Sequence, residues 1–581
     1  MSGSGRNGGQ KRDSNVELAK LGGDHLRGGI DDTLRSDATH FASDDVQLLK
    51  FHGIYQQDDR DTRKPRQSQG FGRDHRFMVR VSLPGGTLTA DQYLAFDDLA
   101  DAYANGTLRV TTRQGLQFHG VVKGDLKATI AGVNAHLATT LAACGDVARN
   151  VMACPAPLDD PEHHAVRTAA AAIARELRPA GHAYYEIWQD RERLVSSEPE
   201  EPFYGDRYLP RKFKIAVGLA SDNCVDLYAQ DVGLVAVTAH GRVRGFDVLV
   251  GGGLGMTHGK GDTIARLGEP LGFVEAEHAV EAARIIAAVF RDHGNRGDRR
   301  HARLKYLVNE WGIERFRAEF ARRAPFALQP FEPLPRPRFQ DHLGRQQQDD
   351  GRWFYGVFVQ SGRIQDAEPA RLRTALRTIV DRHRPGLAFT PHQNVLLTGL
   401  DFEVVEEIER TLEANGVTPA PSLPAVRRFS MACPALPTCG LAVAESERLL
   451  PSVLDELDRE LARLGLSEEP LTVRMTGCPN GCARPYTADI AFVGRSLDLY
   501  NVYVGGGLAG DRVVDLYRAD VRTPDLVAAV RPLLVLWADD RRTGEGLGDF
   551  YQRAVGRTSP RTAVTGKEEA TAELIQLGAA R

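Results

Sequence analysis

The sequence predicts an α+β chain of two pseudo-symmetric halves, each a ferredoxin-like half-domain followed by a larger α/β domain. Three observations carry this. Met152-Ala-Cys-Pro-Ala156 recurs as Met431-Ala-Cys-Pro-Ala435, 279 residues on. Leu108–Gly120 recurs loosely as Leu387–Gly399 at the same 279-residue offset. Val250-Gly-Gly-Gly-Leu254 returns as Val504-Gly-Gly-Gly-Leu508, in the same order at a shorter offset. Self-similarity at one spacing and in one order marks a duplicated unit. The shorter third offset implies that the halves differ in loop length.

The elements follow in chain order. Phe77–Leu83 reads as a strand and runs into a Pro-Gly-Gly turn. Thr89–Tyr103 places apolar residues at helical spacing. Leu108–Thr112 and Leu116–Val121 read as strands joined at Arg113–Gly115, and Asp125–Leu141 as a helix. Strand, helix, strand, strand, helix is a ferredoxin-like order. Tyr355–Gln360, Pro369–His383, Leu387–Thr390, Val395–Leu400 and Glu403–Asn415 repeat it. Lys212-Phe-Lys214 alternates into Ile215-Ala-Val217, which puts both lysines on one face of a predicted strand. The divisions expected are a disordered tail over 1–20, an arm and half-domain over 21–145, a larger domain over 146–332, a linker over 333–351, a second half-domain over 352–420 and a second larger domain over 421–581.

Composition narrows the function classes. A net charge of −4 gives no global basic field for nucleic acid. No stretch is long and apolar enough to span a membrane. The Gly-rich start lacks the apolar region of a secretory signal. Seven cysteines, an odd number, are better explained by a clustered set than by disulfides, which points to a reducing cytoplasm.

Four of those cysteines carry the strongest signal. Cys433 and Cys439 are spaced C-x5-C, and Cys478 and Cys482 C-x3-C. Four clustered thiols fit one four-thiolate site, as iron–sulfur clusters use. A structural zinc site is the alternative, but the five-residue spacing fits its usual pairs poorly. Cys154 occupies the place of Cys433 in the first half, without partners there in this pattern. One metal centre is therefore expected, placed asymmetrically between the halves.

Cations are the second signal. Arg80, Arg109, Arg113, Arg149, Arg211, Lys212 and Lys214 fall within strand or turn patterns with few acids nearby. Any one of them alone reads as a solvated face. Together, if buried, they need an anionic partner, and an external polyanion is the economical one. Other features are weaker. The Gly run after Phe246–Val250 reads as a turn where backbones approach closely, not a dinucleotide fingerprint. His119 reads as a satisfied core histidine, Cys144 and Cys224 as buried thiols, and Trp188, Trp311, Trp353 and Trp537 as core.

Met431–Cys439 and Thr476–Pro485 resemble the siroheme and iron–sulfur signature of the sulfite and nitrite reductases. Lys50–Arg60, Leu108–Gly120 and Leu209–Lys214 share the resemblance, which runs in order from about residue 20 to the end. The resemblance implies a [4Fe-4S] cluster on Cys433, Cys439, Cys478 and Cys482, with Cys482 also the axial ligand of a siroheme. It places active-site cations at Arg80, Arg149, Lys212 and Lys214. Arg113, Gln117 and Lys305 match positions that hold siroheme carboxylates, and Arg109, Arg303 and Asn480 are assigned to the cofactor with them. Arg303 departs from the Lys of some family members but keeps the charge. The activity implied is six-electron reduction of sulfite to sulfide, with nitrite to ammonia as the alternative. Retention of Lys214 in Lys-Phe-Lys favours sulfite. A non-catalytic iron–sulfur electron carrier or a zinc-stapled binding protein leaves the cationic segments unexplained. No flavin or NADPH motif occurs, so the donor is another protein. Tyr55–Arg60 resembles the flavoprotein-coupled enzymes, whereas Ala143–Val147 and Cys482–Tyr486 look more like the ferredoxin-dependent ones. The NADPH-dependent flavoprotein is the favoured donor.

Overall fold

The computed structural model describes residues 12–158, 160–180, 186–189, 192–196, 201–557 and 559–567, with the backbone alone at 186–189 and 192–196. Both ferredoxin-like sheets form where the repeat predicts. The first runs Ile54–Asp58, His75–Val81, Leu116–Val121, Leu108–Val110 and then Arg363–Ile364, a strand from the second half. Its counterpart runs Gly344–Gln347, Trp353–Val357, Val395–Leu400, Gly386–Phe389 and then Thr87–Leu88, a strand from the first half. Each sheet is thus finished by the other half, Arg363 opposite Arg109 and Leu88 opposite Leu387. The strands Leu116–Val121 and Val395–Leu400 match at the 279-residue offset end to end.

The helices lie where apolar spacing put them. Ala90–Tyr103 begins at Thr89, whose side chain accepts the Gln92 N–H at 3.2 Å while the Gln92 side chain accepts the Thr89 N–H at 3.0 Å. This reciprocal cap satisfies two otherwise orphaned donors. Leu372–His383 and Phe402–Ala414 cover the second sheet. Val79, Phe96 and Phe118 of one half share a core with Ile379, Leu397 and Ile408 of the other. The seam is reciprocal in its polar contacts as well. Gln114 donates to Phe389 O at 3.0 Å, and its equivalent Gln393 donates to Val110 O at 3.4 Å.

Each larger domain is a twisted sheet backed by helices. In the first, Ile215–Gly218 runs parallel to Val232–Ala239, followed by antiparallel Arg242–Val250 and Glu269–Glu275. In the second, Ser430–Ala432, Val473–Thr476 and Ile490–Ser496 are parallel, and Leu499–Val504 and Asp515–Arg522 complete it. Ala563–Thr565 crosses back to pair with Ile264–Arg266 of the first half. Among the described residues no helix is long and apolar enough to cross a membrane.

Four expectations need correction. The helix expected over Asp125–Leu141 ends at Ala135. Val133 is the last core residue of the helix, and Leu137 beyond it sits 94% exposed at φ 58°, which breaks the helical path. The tail expected over 1–20 includes a helix, Asn15–Leu21, docked through buried Glu17 on Arg296 at 2.6 Å and buried Lys20 on Leu209 O at 3.0 Å; residues 1–11 lie outside the described ones. The linker over 333–351 contains the edge strand Gly344–Gln347, whose polar sequence suits a sheet rim. Lys212 and Lys214 precede the strand rather than lie on it. The Lys214 N–H goes to the Asp231 carboxylate at 2.9 Å instead of to the ladder, which begins at Ile215.

Candidate active site

The two cysteine pairs leave the carboxyl ends of neighbouring parallel strands. Ser430–Ala432 runs directly into Cys433, and Val473–Thr476 into Gly477-Cys478. Strand ends on one side of a parallel pair are where such sheets present ligand-binding loops. Gly477 is required by contact, since a Cβ there would lie 2.5 Å from Ala444 O and 2.6 Å from the Ala435 Cβ. The Gly477 N–H donates to Cys433 Sγ at 3.4 Å, and the Asn480 amide to Cys478 Sγ at 3.4 Å. Arg60 donates to the carbonyls of Cys439 and Ala442, fixing the first loop from the opposite half. Burial pushes the Cys433, Cys439 and Cys478 thiols up, Cys478 to about 12, and the neighbouring thiol Cys482 adds to each shift. Two adjacent loops carrying four thiols, three of them largely buried, supply the donor types of a four-thiolate centre.

Cys482 differs from the other three. It is exposed, and it opens onto a narrow cavity lined by Thr112, Arg113, Lys212, Lys214, Arg303 and Arg484 among others. Its loop is tied to the first half. Thr112 donates from its hydroxyl to Cys482 O at 3.0 Å, and Arg484 donates to Thr112 O at 3.2 Å and Pro391 O at 3.0 Å. Arg484 is itself ion-paired with Asp226.

The cavity wall masses positive charge. Arg113 is held by Gln230 Oε1 at 2.8 Å, Asn150 O at 2.6 Å and Ile215 O at 3.1 Å, yet its Nε has no partner. Arg303 donates to Asp231 at 3.1 and 2.7 Å. Burial, then the neighbouring arginines, brings Lys212 down to about 7 and Arg113 to about 9. Lys212 is only partly covered by protein, but the cavity is too narrow to hydrate it as bulk water would. Lys214 is also pushed well down, by burial and then by Lys212. Among the described residues neither ammonium has a carboxylate partner. Cations crowded this way, one with an orphaned N–H, fit a polycarboxylate ligand beside Cys482.

The matched sequence families agree with this geometry. The family described as "Nitrite and sulphite reductase 4Fe-4S domain" matches residues 168–328 and 426–555. The "Nitrite/Sulfite reductase ferredoxin-like half domain" matches 72–136 and 345–415. The chain belongs to the nitrite and sulphite reductase family. It is 44% identical over 542 residues to a "Sulfite reductase [NADPH] hemoprotein beta-component" of Staphylococcus saprophyticus, covering 93% of this chain and 95% of that one. It is 45% identical over 560 residues to a "Sulfite reductase [ferredoxin]" of Synechococcus elongatus, covering 93% and 89%. The solved structure of the Mycobacterium tuberculosis NirA protein has the same fold, with a TM-score of 0.76 at 24% identity over 94% of this chain and 97% of that one.

Of the residues expected at the site of this reductase, Arg113, Lys212, Lys214, Arg303, Asn480 and Cys482 line one cavity. Arg80 and Arg149 form an adjoining group. Arg80 donates to Cys144 Sγ at 3.0 Å and lies 5.8 Å from the Tyr55 ring centroid, while Arg149 donates to Gly145 O at 3.1 and 3.0 Å. Gln117 accepts from Arg80 at 3.1 and 2.6 Å and donates to His119 Nε2 at 3.2 Å. His119 Nδ1 has no partner, so that histidine is only half satisfied. Two expected cofactor residues have other partners. Arg109 pairs with Glu447 at 3.0 Å and donates to Ala432 O at 3.0 Å, bracing the strand into Cys433. The Lys305 ammonium donates to Gly253 O at 3.0 Å, Gly255 O at 2.7 Å and Ile264 O, which shapes the glycine loop. That loop is a close approach, as its sequence implied: a Cβ on Gly252 would lie 2.3 Å from Gln230 O.

Sequence reasoning missed Thr112, Gln230, Asp231 and Arg484. An Arg-Pro after Cys482 was visible, but nothing in the sequence signals that Asp226, far upstream, receives Arg484. Cys224 read as an ordinary buried thiol and Cys154 as unpartnered. The structure corrects both: the two lie together with Asp222 and His342, four ligand atoms all within 4.8 Å of one another. Trp537 is fully buried, Trp311 and Trp353 are only partly so, and the Trp188 side chain lies outside the description.

Proposed function

We propose that this chain is the catalytic subunit of an assimilatory, cytoplasmic sulfite reductase, taking sulfite to sulfide with six electrons, and that Cys482 is among the residues that would hold one siroheme and one [4Fe-4S] cluster. The observation that carries the reading is the exposed Cys482 facing Arg113, Lys212, Lys214 and Arg303 across one narrow cavity. Cys433, Cys439, Cys478 and Cys482 would hold the cluster, and Arg113 and Arg303 the macrocycle carboxylates. When bound, the two groups supply electron storage and the redox chemistry of sulfur.

The side chains supply position, charge and protons. Arg113 is locked by three acceptors and Arg303 by a two-point contact with Asp231, so both present charge without reordering on binding. Lys212, at about 7, can give and regain a proton at Nζ near neutral pH. Sulfite loses its oxygens as water, and each departure takes up protons, so a donor of this kind beside the anion is what the reaction requires. The narrow walls limit bulk water and strengthen each charge interaction.

Sulfite is favoured over nitrite by Lys-Phe-Lys214, and an NADPH-dependent flavoprotein is favoured over ferredoxin as donor. Steady-state assays with an artificial one-electron donor test the first, and a higher kcat/KM for nitrite would reverse it. Reduction assays with each purified donor protein test the second; turnover with ferredoxin but not with the flavoprotein would reverse that.

A further inference from the structure

The first half contains a second cluster of ligand-type side chains, remote in sequence from the four-cysteine site. Cys154 Sγ lies 2.8 Å from Asp222 Oδ2 and 3.4 Å from His342 Nε2, and His342 Nε2 lies 2.9 Å from Asp222 Oδ2. Cys224 Sγ completes a set whose four ligand atoms all fall within 4.8 Å of one another. All four residues are at most 2% exposed, and Asp222 Oδ1 is buried without a hydrogen-bond partner.

The duplication explains why the set is there. Cys154 is the counterpart of Cys433 at the 279-residue offset. Beyond it the offset shortens to 258 residues, on which Tyr228, Asp231 and the strand from Val232 match Tyr486, Asp489 and the strand from Ile490. On that register Cys224 is the counterpart of Cys482, Asp222 of Asn480 and Ala220 of Cys478. The first half therefore has thiols at two of the four cysteine positions, with a carboxylate between them in the second loop. The fourth group, His342, comes from the connection between the halves. That connection is pinned to the same loop by Asn223 N to Arg338 O at 2.7 Å and Arg338 N to Ala220 O at 2.8 Å.

We propose that Cys154, Asp222, Cys224 and His342 bind one zinc ion, as a closed structural site that staples the connection to the first large domain. The donor types are those of zinc: two thiolates, an imidazole and a carboxylate. Metal–ligand bonds of about 2.0–2.3 Å in a tetrahedron put ligand atoms about 3.3–3.8 Å apart, which the separations among Cys154, Asp222 and His342 reach by sub-ångström adjustments, with Cys224 within 4.8 Å of all three. An iron–sulfur cluster does not fit, because sulfides and several irons must lie between its thiolates. A cysteine nucleophile does not fit either, because all four groups are closed to substrate. Binding exchanges two thiol protons for the metal and leaves His342 neutral at Nε2, with no oxidant or reductant involved.

Metal analysis of the full-chain holoenzyme, purified without chelator, tests this. The expected result is about one zinc per chain beside the iron. Cys224→Ala and the milder His342→Gln should each cut zinc at least fivefold and leave iron per chain and the visible spectrum unchanged. Cobalt growth should give a thiolate-to-cobalt charge-transfer band that both variants lose. The wild-type measurement needs no variant to fold. Zinc absent from wild type after zinc-supplemented growth, zinc retained in both variants, or a Cys154–Cys224 disulfide in non-reducing peptide maps would each overturn the assignment.

Discussion

The pair of Asp231 and Arg303 offers a quantitative test of how the cavity wall is built. Asp231 is fully buried and Arg303 nearly so, joined at 2.7 and 3.1 Å, and Asp231 also receives the Lys214 N–H at 2.9 Å. Removing one partner of a buried pair costs about 3–5 kcal/mol, mostly for the charge left unpaired. Arg303 lines the cavity, so water reaches one edge of it, and Arg303 left alone falls at the low end. Asp231→Ala should therefore cost about 3–4 kcal/mol, with the lost Lys214 contact adding about 1 kcal/mol. Arg303→Met should cost a similar amount by stranding Asp231. The double variant removes both charges and should cost little more than either single one, a coupling of about 2–3 kcal/mol. Urea unfolding of cofactor-free protein at neutral pH measures all three. Additive costs would refute the pairing. On the role proposed for Arg303, which Asp231 holds in place, both singles should also lower siroheme absorbance per chain.

Cys482→Ser should reduce iron content and haem absorbance together while circular dichroism is unchanged; loss of one signal alone would separate the two roles given to it. Lys212 is held near 7 against an unfolded value near 10.5, so between those values the unfolded chain binds more protons and stability of the cofactor-free chain rises with pH. Lys212→Met should flatten that rise, although Lys214 and Lys305, pushed down in the same direction, keep part of it; melts at neutral and alkaline pH check the slope. Gly362→Ala would set a Cβ 2.2 Å from Val110 O at φ 77° and should cost about 2–3 kcal/mol by denaturant midpoint, against nearly nothing at Gly124, where nothing lies within 4 Å.

Much of this was legible because it is periodic or local. Alternation and helical spacing located the half-domain elements, and a constant offset disclosed the duplication before any contact was known. The cysteine loops were legible because four thiols must be close in sequence to leave two neighbouring strand ends. What escaped is short or remote. Thr87–Leu88 and Arg363–Ile364 are two-residue strands, too brief for any period, and their partners lie hundreds of residues away. Gly344–Gln347 is polar because it is a rim, so it reads as linker. The Lys212 and Lys214 backbone was misjudged because alternation continues through them, while a side-chain carboxylate takes the N–H a ladder would need. Cys224 escaped because its counterpart is found only after the offset shortens.

The exchanged edge strands bear on symmetry. An arrangement in which each sheet is completed by the other is the one that two equal subunits make across a two-fold axis. A chain cut at its midpoint would expose an unpaired rim on each fragment, which invites self-association. The seam that results holds both halves in shape, whichever of them carries the four-cysteine loops. Cys154 and Cys224 stand at the first half's equivalents of Cys433 and Cys482, so the duplicated frame offers two places for thiol chemistry and fills them differently.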